Sequence, residues 1–381
     1  MHRLLLSLFS LTILFFPTGW LYAQSDSYLP SFEIPNARAA AMGGFHAALP
    51  DDFSASFFNP AGFAAVRTTA AVSEITLEIN SIETLYNMFF GEASGLELIK
   101  LITERIDANA VFLGPFSFGK VHEGWGWRFF NATRFNVFWS RDDIFVFSPK
   151  FSEEFVYNIG YGYRLMESGD ETLDIGITGK LFYRLTYDPH EIFIQEAKHT
   201  LAEMDEKPYT ATLGGGFDAG LRWTRNNTFS VGLNFKDFFT RGYVTEYRNI
   251  YKYFEREIYD STVMMIKPHI SLGFALRLKS PIMHRWNTDL ILTTDYHGLL
   301  ELMMRDYTKS PLLFFTAGFE LRFLEVISLR AGWAEWHPAG GLGINFTAFQ
   351  LDLSVFGKTQ GNTIDARKTI VINLGFLFHY Y

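Results

Sequence analysis

The chain of 381 residues contains no cysteine, and acidic side chains outnumber basic ones. Without cysteine there are no disulfides, thiolate metal sites, cysteine nucleophiles or lipidated cysteines. The net charge of -8 argues against a nucleic-acid partner. Beyond residue 30 the sequence also lacks a long apolar run, which excludes a transmembrane helix in that part of the chain. These absences leave open a chain that crosses a membrane as strands.

From about residue 70 to Tyr381 the sequence contains segments in which apolar and polar residues alternate. In residues 349–357 every second residue is apolar, and the same pattern recurs in residues 229–236 and 270–278. A two-residue period gives a strand one apolar face and one polar face. In a soluble sandwich the apolar faces would meet each other, whereas a membrane barrel turns them toward lipid and keeps the polar faces in its lumen.

The alternation predicts about 14 strands in one domain. They lie near residues 71–79, 109–119, 125–138, 153–165, 173–185, 210–223, 228–238, 264–278, 288–297, 312–323, 327–335, 339–346, 348–357 and 368–380. Connections after odd-numbered strands include the three longest, 80–108, 186–209 and 239–263, whereas most of those after even-numbered strands are short. Sorting of loop length by strand parity is typical of outer-membrane barrels. We therefore predict an all-β fold, a closed antiparallel transmembrane β-barrel in residues 71–381.

The aromatic content and the two ends of the chain support this interpretation. Aromatic residues make up 17% of the chain, including 40 Phe, which suits the aromatic girdles of a membrane barrel. Residues 1–23 resemble a cleaved signal peptide, with an uncleaved anchor helix as the alternative. The last strand ends in a pattern that resembles the signal by which bacterial outer-membrane barrels reach their insertion machinery. That pattern consists of Asn373, Gly375, Phe378 and Tyr380. The expected location is the bacterial outer membrane.

Sequence motifs for catalysis are missing. The ten histidines form no His-Glu-x-x-His pair for zinc, and there is no Gly-x-Ser-x-Gly elbow for a serine nucleophile. We also find no His-Ser-Asn constellation that would support an outer-membrane phospholipase. Residues 214–216 are three glycines, but they lie in a predicted strand and are more typical of a crowded barrel wall than of a phosphate-binding loop. We therefore predict a protein that is not an enzyme and uses no metal or other cofactor.

Residues 24–70, between the signal peptide and the first strand, are rich in Ala, Gly and Phe and show no alternation. They contain Arg-x-x-x-Met-Gly-Gly, an acidic pair and Asn-Pro-Ala-Gly. The residues concerned are Arg38, Met42, Gly43, Gly44, Asp51, Asp52, Asn59, Pro60, Ala61 and Gly62. Their order and spacing resemble the hatch of the FadL family, the outer-membrane long-chain fatty-acid transporters, and of related PorV-like barrels. The close match covers residues 36–63, and the overall character of the chain resembles uncharacterised spirochaetal members of that family more than the enterobacterial fatty-acid transporter.

The resemblance implies a hatch that blocks the pore and rearranges when ligand arrives. The residue types are consistent with a packed segment, because small residues such as Ala and Gly fit inside a barrel lumen that is already lined by side chains. Gly43 and Gly44 permit positive φ, and Pro60 biases Asn59 away from helix and toward a turn. Taken alone, the Asn-Pro pair would also fit a plain surface turn.

Inward-facing cations are the candidate binding residues of the barrel. A basic cluster is predicted near the periplasmic end of the lumen, formed by Arg164, Arg222, Arg277, Arg322 and Arg330. These arginines are expected to pair with wall acids such as Asp174, Asp218, Asp289 and Glu320. The alternative is that some of them hold Asp51 and Asp52 and so latch the hatch. Higher in the lumen, Lys180, Arg184 and Lys236 are candidates to bind a carboxylate through charge-assisted hydrogen bonds, with internal ion pairs as the alternative.

Together these features predict a monomeric barrel that passes hydrophobic or amphipathic small molecules inward by diffusion, above all long-chain fatty acids. Its expected partners are that ligand, the lipids of the outer membrane and the insertion machinery during biogenesis. The alternative is a PorV-like barrel that transports nothing and instead binds or shuttles secreted proteins.

Overall fold

The computed structural model describes most of the predicted barrel and parts of the segment before it. The described residues are 28–32, 35–44, 46–49, 55–66, 69–80, 106–139, 146–187, 192–193, 204–278, 287–304, 310–346, 348–359 and 366–380. The predicted signal peptide, residues 1–23, lies outside this set. So do Asp51 and Asp52 of the predicted hatch.

Fourteen strands form the barrel, and we number them β1 to β14 in chain order. Their bounds are β1 Thr69–Asn80, β2 Ile106–Leu113 continued by Phe118–His122, β3 Trp125–Trp139, β4 Val146–Ser168, β5 Glu171–Tyr187, β6 Tyr209–Arg225, β7 Phe229–Tyr247, β8 Asp260–Met265 continued by His269–Leu278, β9 Thr288–Tyr296, β10 Phe315–Phe323, β11 Ile327–Ala334, β12 His337–Phe346, β13 Phe349–Thr359 and β14 Ala366–Tyr380. A two-residue strand, Ile192–Phe193, also pairs with the start of β4.

Each strand pairs antiparallel with its neighbours in sequence, and β14 pairs with β1 over the whole length of β1. In that seam Ile75 lies opposite Leu374, and Asn373 donates a hydrogen bond of 2.6 Å to the hydroxyl of Thr76. The sheet therefore closes on itself and leaves no edge strand unpaired, which is what a lipid-exposed sheet requires. The predicted closed antiparallel barrel of 14 strands is confirmed.

The side chains are arranged inside out relative to a soluble protein. On β4 the alternating residues Phe155, Tyr157, Ile159, Tyr161 and Tyr163 are exposed, whereas Ser152, Glu154, Val156 and Asn158 between or beside them are buried. On β13 Leu353 and Val355 are exposed and Asp352 and Ser354 are buried. An apolar outer face around a polar interior is the arrangement of a barrel that spans a membrane.

The predicted loop 239–263 is wrong over much of its length. Strand β7 continues to Tyr247 and β8 begins at Asp260, so the connection is only residues 248–259. The reason is a bulge: the β6–β7 register shifts near Phe217, and Asp237 and Phe239 adopt φ of 59° and 56°. A bulge interrupts the two-residue period, so the alternation appears to stop although the strand goes on.

Short turns lie mainly at one end of the barrel. The connections after β2, β4, β6 and β10 comprise 123–124, 169–170, 226–228 and 324–326. Those after odd-numbered strands include 81–105, 188–208 and 297–314, although the β11–β12 turn is only 335–336. The loop asymmetry expected from strand parity is therefore present in the described residues.

The helices that the structure describes are short. We label the α-helices α1 Ala37–Ala41, α2 Ile250–Glu255 and α3 Leu299–Met304, and 3₁₀-helices occur at Pro60–Ala65, Met204–Glu206 and Pro311–Phe314. None of the helices in the described residues is long and apolar enough to cross a membrane.

Candidate functional site

The described parts of residues 28–66, which we call the N-terminal segment, pack against the polar face of the sheet. Its helix α1 begins where the Asn36 side chain accepts a 2.8 Å hydrogen bond from the Ala39 amide. Its 3₁₀-helix begins in the same way at Asn59, whose side chain accepts from the Ala61 amide, with Pro60 at the first helical position. Ala37, Ala39, Ala41 and Ala61 are buried. Small side chains thus let two short helices lie close to the wall.

Glycines of the wall make room for this segment. A Cβ added to Gly162 would collide with the backbone of Ala64, and one added to Gly176 would collide with Pro60. Other wall glycines face the segment in the same manner: Gly126, Gly160, Gly220, Gly232, Gly318, Gly332 and Gly341. The segment is therefore fitted to the wall at backbone level on several strands.

Gly43 and Gly44 fulfil the backbone role expected of them. They adopt φ of 95° and 103°, a region that side chains disfavour. Gly43 also lies beside the carbonyl oxygens of Trp333 and Ala317. A residue with a side chain would therefore be disfavoured by the positive φ and would collide with these oxygens. Met42, just before them, is buried in an apolar cluster with Leu49.

Arg38 ties helix α1 to the wall. Its Nε donates to Glu320 Oε1 at 3.1 Å and its Nη2 donates to Glu320 Oε2 at 2.8 Å. Glu320 is fully buried on β10 and also accepts from Arg322 and Arg330. A two-bond guanidinium–carboxylate pair of this kind fixes orientation as well as distance.

Asn59 and Asp295 hold the middle of the segment. The Asn59 Nδ2 group lies 2.7 Å from Ala47 O, 3.1 Å from Leu221 O and 3.4 Å from Leu233 O, and the residue is fully buried. The Ala47 amide donates to Asp295 Oδ1 on β9 at 2.8 Å. The amide side chain of Asn59 thus joins the segment to two neighbouring strands.

An apolar cluster occupies part of the upper lumen. Wall residues Leu113, Phe130, Val156, Phe182, Val244 and Ile266 meet Leu29, Phe32 and Phe57 of the N-terminal segment. The cluster is notable because most of the buried inward side chains of the barrel are polar. A compartment with apolar walls and a few polar groups at its margin is typical of a small-molecule site.

The three candidate ligand cations lie around this cluster, and each has an internal partner. Lys180 Nζ contacts Asp218 at 2.7 Å and Asp237 at 2.6 Å. Arg184 pairs with Glu154 at 2.7 Å and also donates to the carbonyl of Pro30. Lys236 donates to the carbonyl of Phe32 at 3.2 Å. The structure thus brings the three together, with Lys180 the most fully neutralised, and their role toward a ligand stays a prediction.

The lower arginines also have partners on the wall. Arg164 and Arg222 share Asp174, with distances of 2.9 and 2.8 Å. Arg322 and Arg330 share Glu320, and Arg330 also reaches Asp352. Of the acids expected to pair with this cluster, Asp218 instead pairs with Lys180. Arg277 lines a lower cavity of about 990 Å³ together with Arg164, Arg222 and Arg322. The alternative partners Asp51 and Asp52 lie outside the described residues.

Residues near the N-terminus of the segment were missed by sequence reasoning. Leu29 and Phe32 fall in a stretch without periodicity, so no pattern marked them as members of an interior cluster. Asp295 was also overlooked, although a lone carboxylate at an inward position of a predicted strand is a usable signal. The assembly residues Asn373 and Gly375 lie in β14, where Gly375 pairs with Glu74 of β1.

The fold and site define a class: a closed barrel whose lumen holds an N-terminal segment beside an apolar compartment. Within the described residues, no group of His, Cys, Asp and Glu has the arrangement of a metal site. Neither a protein-family model nor a curated protein matches the sequence.

Three solved structures are similar to this chain. The toluene transporter TodX of P. putida is 10% identical, with 91% of this chain and 99% of that chain covered and a TM-score of 0.51. The toluene transporter TbuX of Ralstonia pickettii is 10% identical over 91% and 98%, with a TM-score of 0.49. A FadL homologue from Pseudomonas aeruginosa is 11% identical over 92% and 100%, with a TM-score of 0.44. At this identity the likeness to TodX establishes a common fold, which the hatch resemblance had predicted.

Proposed function

We propose that the chain is a bacterial outer-membrane transporter that admits hydrophobic or amphipathic small molecules, with long-chain fatty acids as the favoured ligand. The observation that carries the proposal is the apolar cluster in the upper lumen, with Arg184 and Lys236 at its margin. An acyl chain would enter the cluster, and its carboxylate would meet a cation through a charge-assisted hydrogen bond. TodX, whose fold is similar, is a toluene transporter, which favours a hydrophobic ligand.

In this proposal the N-terminal segment is the hatch, and transport requires it to move. The polar contacts that hold it include those of Arg38 with Glu320, of Asn59 with two strands, and of the Ala47 amide with Asp295. Such contacts break and re-form without unfolding the barrel, because the wall keeps its own complete ladder of strand pairs. Diffusion down a concentration gradient then needs no cofactor.

The test is uptake of labelled oleate by cells that lack their own fatty-acid transporter and produce this chain. Intact cells are needed because a fatty acid crosses a protein-free phospholipid bilayer unaided. Restored uptake, with no gain in uptake of a sugar of similar mass, supports the proposal. Absence of uptake by a folded, membrane-inserted barrel contradicts it. Co-purification of exported proteins with such an inactive barrel would instead favour the PorV-like role.

A further inference from the structure

A cavity of about 990 Å³ lies at the lower end of the lumen, on the other side of the N-terminal segment from the apolar cluster. Along β4, Val156 belongs to the apolar cluster, Gly162 lies against the segment and Arg164 lines the cavity. The roof of the cavity consists of segment residues, and its mouth consists of residues of the short turns. The roof includes Gly62, Ala65 and Val66, and the mouth includes Gly169, Asp170, Asn226 and Asn227. The cavity therefore opens toward the end of the barrel that has the short turns.

Arginines and one buried acid form a row across the wall of this cavity. The strand register places Arg164, Asp174 and Arg222 side by side on β4, β5 and β6. Arg164 Nε lies 2.9 Å from one carboxylate oxygen of Asp174, and Arg222 Nη2 lies 2.8 Å from the other. Arg164 also contacts Glu167 at 3.2 Å, a residue whose side chain is 60% exposed. The Nε atom of Arg222 is buried and has no hydrogen-bond acceptor among the described residues. Arg222 therefore keeps a donor that its acid does not satisfy.

A row of hydroxyl groups lies next to the arginine row, on the side toward the turns. Thr172, Thr224 and Ser230 lie side by side on β5, β6 and β7, and all three line the cavity. The hydroxyl oxygens of Thr224 and Ser230 are 3.1 Å apart. Each hydroxyl can donate one hydrogen bond. These short side chains leave space in front of the guanidinium groups and add neutral donors to the same wall.

Arg277 adds a further cation from β8. It lines the same cavity, and its backbone amide donates to Thr228 O at 2.7 Å, which places it beside the turn between β6 and β7. In the part of the chain that the structure describes, no carboxylate lies within ion-pair distance of Arg277. A guanidinium group without a carboxylate partner in a protein cavity gains from a bound anion.

The number and kind of donors favour one class of anion. A guanidinium group binds carboxylate and phosphate oxygens through a planar pair of N–H donors. A carboxylate offers two oxygens, whereas the phosphate of a monoester offers three and carries close to two negative charges at pH 7. Arg222, Arg277 and the hydroxyl row supply enough donors for three oxygens. The volume of the cavity leaves room for an organic group beside the phosphate.

We propose that the lower cavity is a binding site for small phosphate monoesters dissolved in the solution at that end of the barrel, which the proposed function makes the periplasm. Arg222 and Arg277 bind the phosphate, and the hydroxyl row donates to its remaining oxygens. The inference goes beyond the proposed function, because this second site takes a polar ligand on the other side of the N-terminal segment. Membrane lipids also carry phosphate groups, but the closed sheet separates the lumen from lipid. A dissolved ligand is therefore favoured over a lipid head group.

The first test measures binding of glycerol 3-phosphate to the purified full-length barrel in an uncharged detergent by isothermal titration calorimetry. We expect Arg277→Gln to weaken binding about tenfold, because charge-assisted hydrogen bonds are lost, and Arg277→Lys to recover part of the loss. Arg225→Gln is the matched control, because it removes the same charge from a β6 side chain that is 61% exposed and outside the cavity lining. It should leave the affinity within about twofold of the wild type. Circular dichroism verifies that each variant is folded.

Two further comparisons test the class of ligand. Glycerate is a similar three-carbon molecule whose anionic group is a carboxylate, and we expect it to bind about tenfold more weakly than glycerol 3-phosphate. Thr172→Val removes one hydroxyl of the row without a change in charge. We expect it to weaken binding of glycerol 3-phosphate severalfold.

Nanodiscs distinguish a dissolved ligand from a lipid head group. The affinity for glycerol 3-phosphate is measured in nanodiscs that contain phosphatidic acid and in nanodiscs that contain phosphatidylglycerol, both of which are anionic. Only phosphatidic acid carries a phosphate monoester, and we expect equal affinities. Loss of binding in the phosphatidic acid nanodiscs alone would assign the site to a lipid head group and overturn the dissolved ligand.

The remaining outcomes decide whether the site exists. Failure of the wild type to bind glycerol 3-phosphate, equal losses from Arg277→Gln and Arg225→Gln, or equal affinity for glycerate would each overturn the phosphate site. None of these results bears on the uptake of hydrophobic molecules, which the oleate assay tests separately.

Discussion

Arg38 and Glu320 form a two-bond ion pair between residues that lie 282 positions apart in the sequence, one on helix α1 and the other on strand β10. The predicted latch placed acids on the hatch and arginines on the wall, and its acids lie outside the described residues. The pair that the structure does describe has the opposite polarity, with the cation on the N-terminal segment and the acid on the wall.

The first prediction concerns this ion pair. Glu320→Gln would leave Arg38, Arg322 and Arg330 around a neutral amide, and we expect it to lower the free energy of unfolding by about 3–5 kcal/mol. We also expect a higher leak of small polar solutes through the barrel, because α1 loses its attachment. Urea titration in detergent micelles and solute efflux from proteoliposomes measure the two effects.

Glu325→Gln is the control for that substitution. Glu325 lies in the turn between β10 and β11, close in sequence to Glu320. The same chemical change there should alter stability by no more than about 0.5 kcal/mol. Equal losses in the free energy of unfolding from Glu320→Gln and Glu325→Gln would show that the ion pair of Arg38 with Glu320 does not stabilise the fold.

The second prediction concerns the two asparagines that cap the helices of the N-terminal segment. Asn59 donates toward Ala47 O, Leu221 O and Leu233 O, so Asn59→Asp would bury an anion among carbonyl oxygens. We expect a loss of about 3 kcal/mol or more in the free energy of unfolding, or release of the segment. Limited proteolysis of the N-terminal region detects the release.

Asn36→Asp is the matched control for Asn59→Asp. The Asn36 side chain acts as an acceptor from the Ala39 amide, and a carboxylate accepts at a helix N-terminus equally well. We therefore expect Asn36→Asp to be neutral. Similar proteolysis patterns for both variants would contradict the donor role of Asn59.

The third prediction concerns the wall glycines of β5. Gly176→Ala would place a methyl group against the backbone of Pro60. Gly179→Ala would instead meet the Phe217 ring at 3.7 Å and the Ile159 side chain at 4.0 Å, which are ordinary contact distances. We expect the first substitution to displace the N-terminal segment and raise solute leak several-fold, and the second to leave leak unchanged. The leak is measured as the single-channel conductance of the two variants. Equal conductances would contradict the close fit of the N-terminal segment to the barrel wall.

The fourth prediction concerns pH at the connection between β7 and β8, outside the membrane-spanning strands. Lys252 donates to Glu257 at 2.5 Å, and this hydrogen bond lowers the pKa of Glu257 below its ordinary 4.5. Because the pKa of Glu257 is lower in the folded loop than in the unfolded chain, its ion pair stabilises the loop at pH values above the unfolded-state pKa. This stabilisation is lost as the pH falls through the folded-state pKa. The protection factor of the α2 amides, which is the intrinsic exchange rate divided by the observed rate, should therefore fall modestly below about pH 4.5. In Lys252→Gln the protection factor should lose this pH dependence, and persistence of the dependence would assign it to another group.

The sequence was sufficient to predict the barrel because the outer face of the strands is apolar and the inner face is largely polar. The two-residue period reports that difference directly, so strands such as β13 are visible in the pattern of Leu353, Ser354 and Val355. The prediction failed at β7, where the bulge at Asp237 reset the period and concealed the continuation of the strand to Tyr247.

The candidate site was only partly predictable for a different physical reason. The hatch motif marked Asn59, but its acceptors Leu221 O and Leu233 O lie 162 and 174 positions away and are backbone atoms, which no side-chain pattern encodes. Leu29 and Phe32 left no signal in the sequence, because residues 28–32 pair with the wall at a single bridge and such a segment has no periodic pattern. The arginines were found because they fall at the polar, inward-facing positions of the alternation.

The central claim is that the apolar face of the sheet meets lipid while the N-terminal segment fills the lumen. Single spin labels at Leu353→Cys, Ser354→Cys and Val355→Cys test it most directly, since the chain has no native cysteine. In proteoliposomes we expect the labels at 353 and 355 to be relaxed by lipid-soluble oxygen and the label at 354 to be shielded from oxygen. Equal oxygen access at all three positions, or a protein that stays soluble without detergent, would contradict the account.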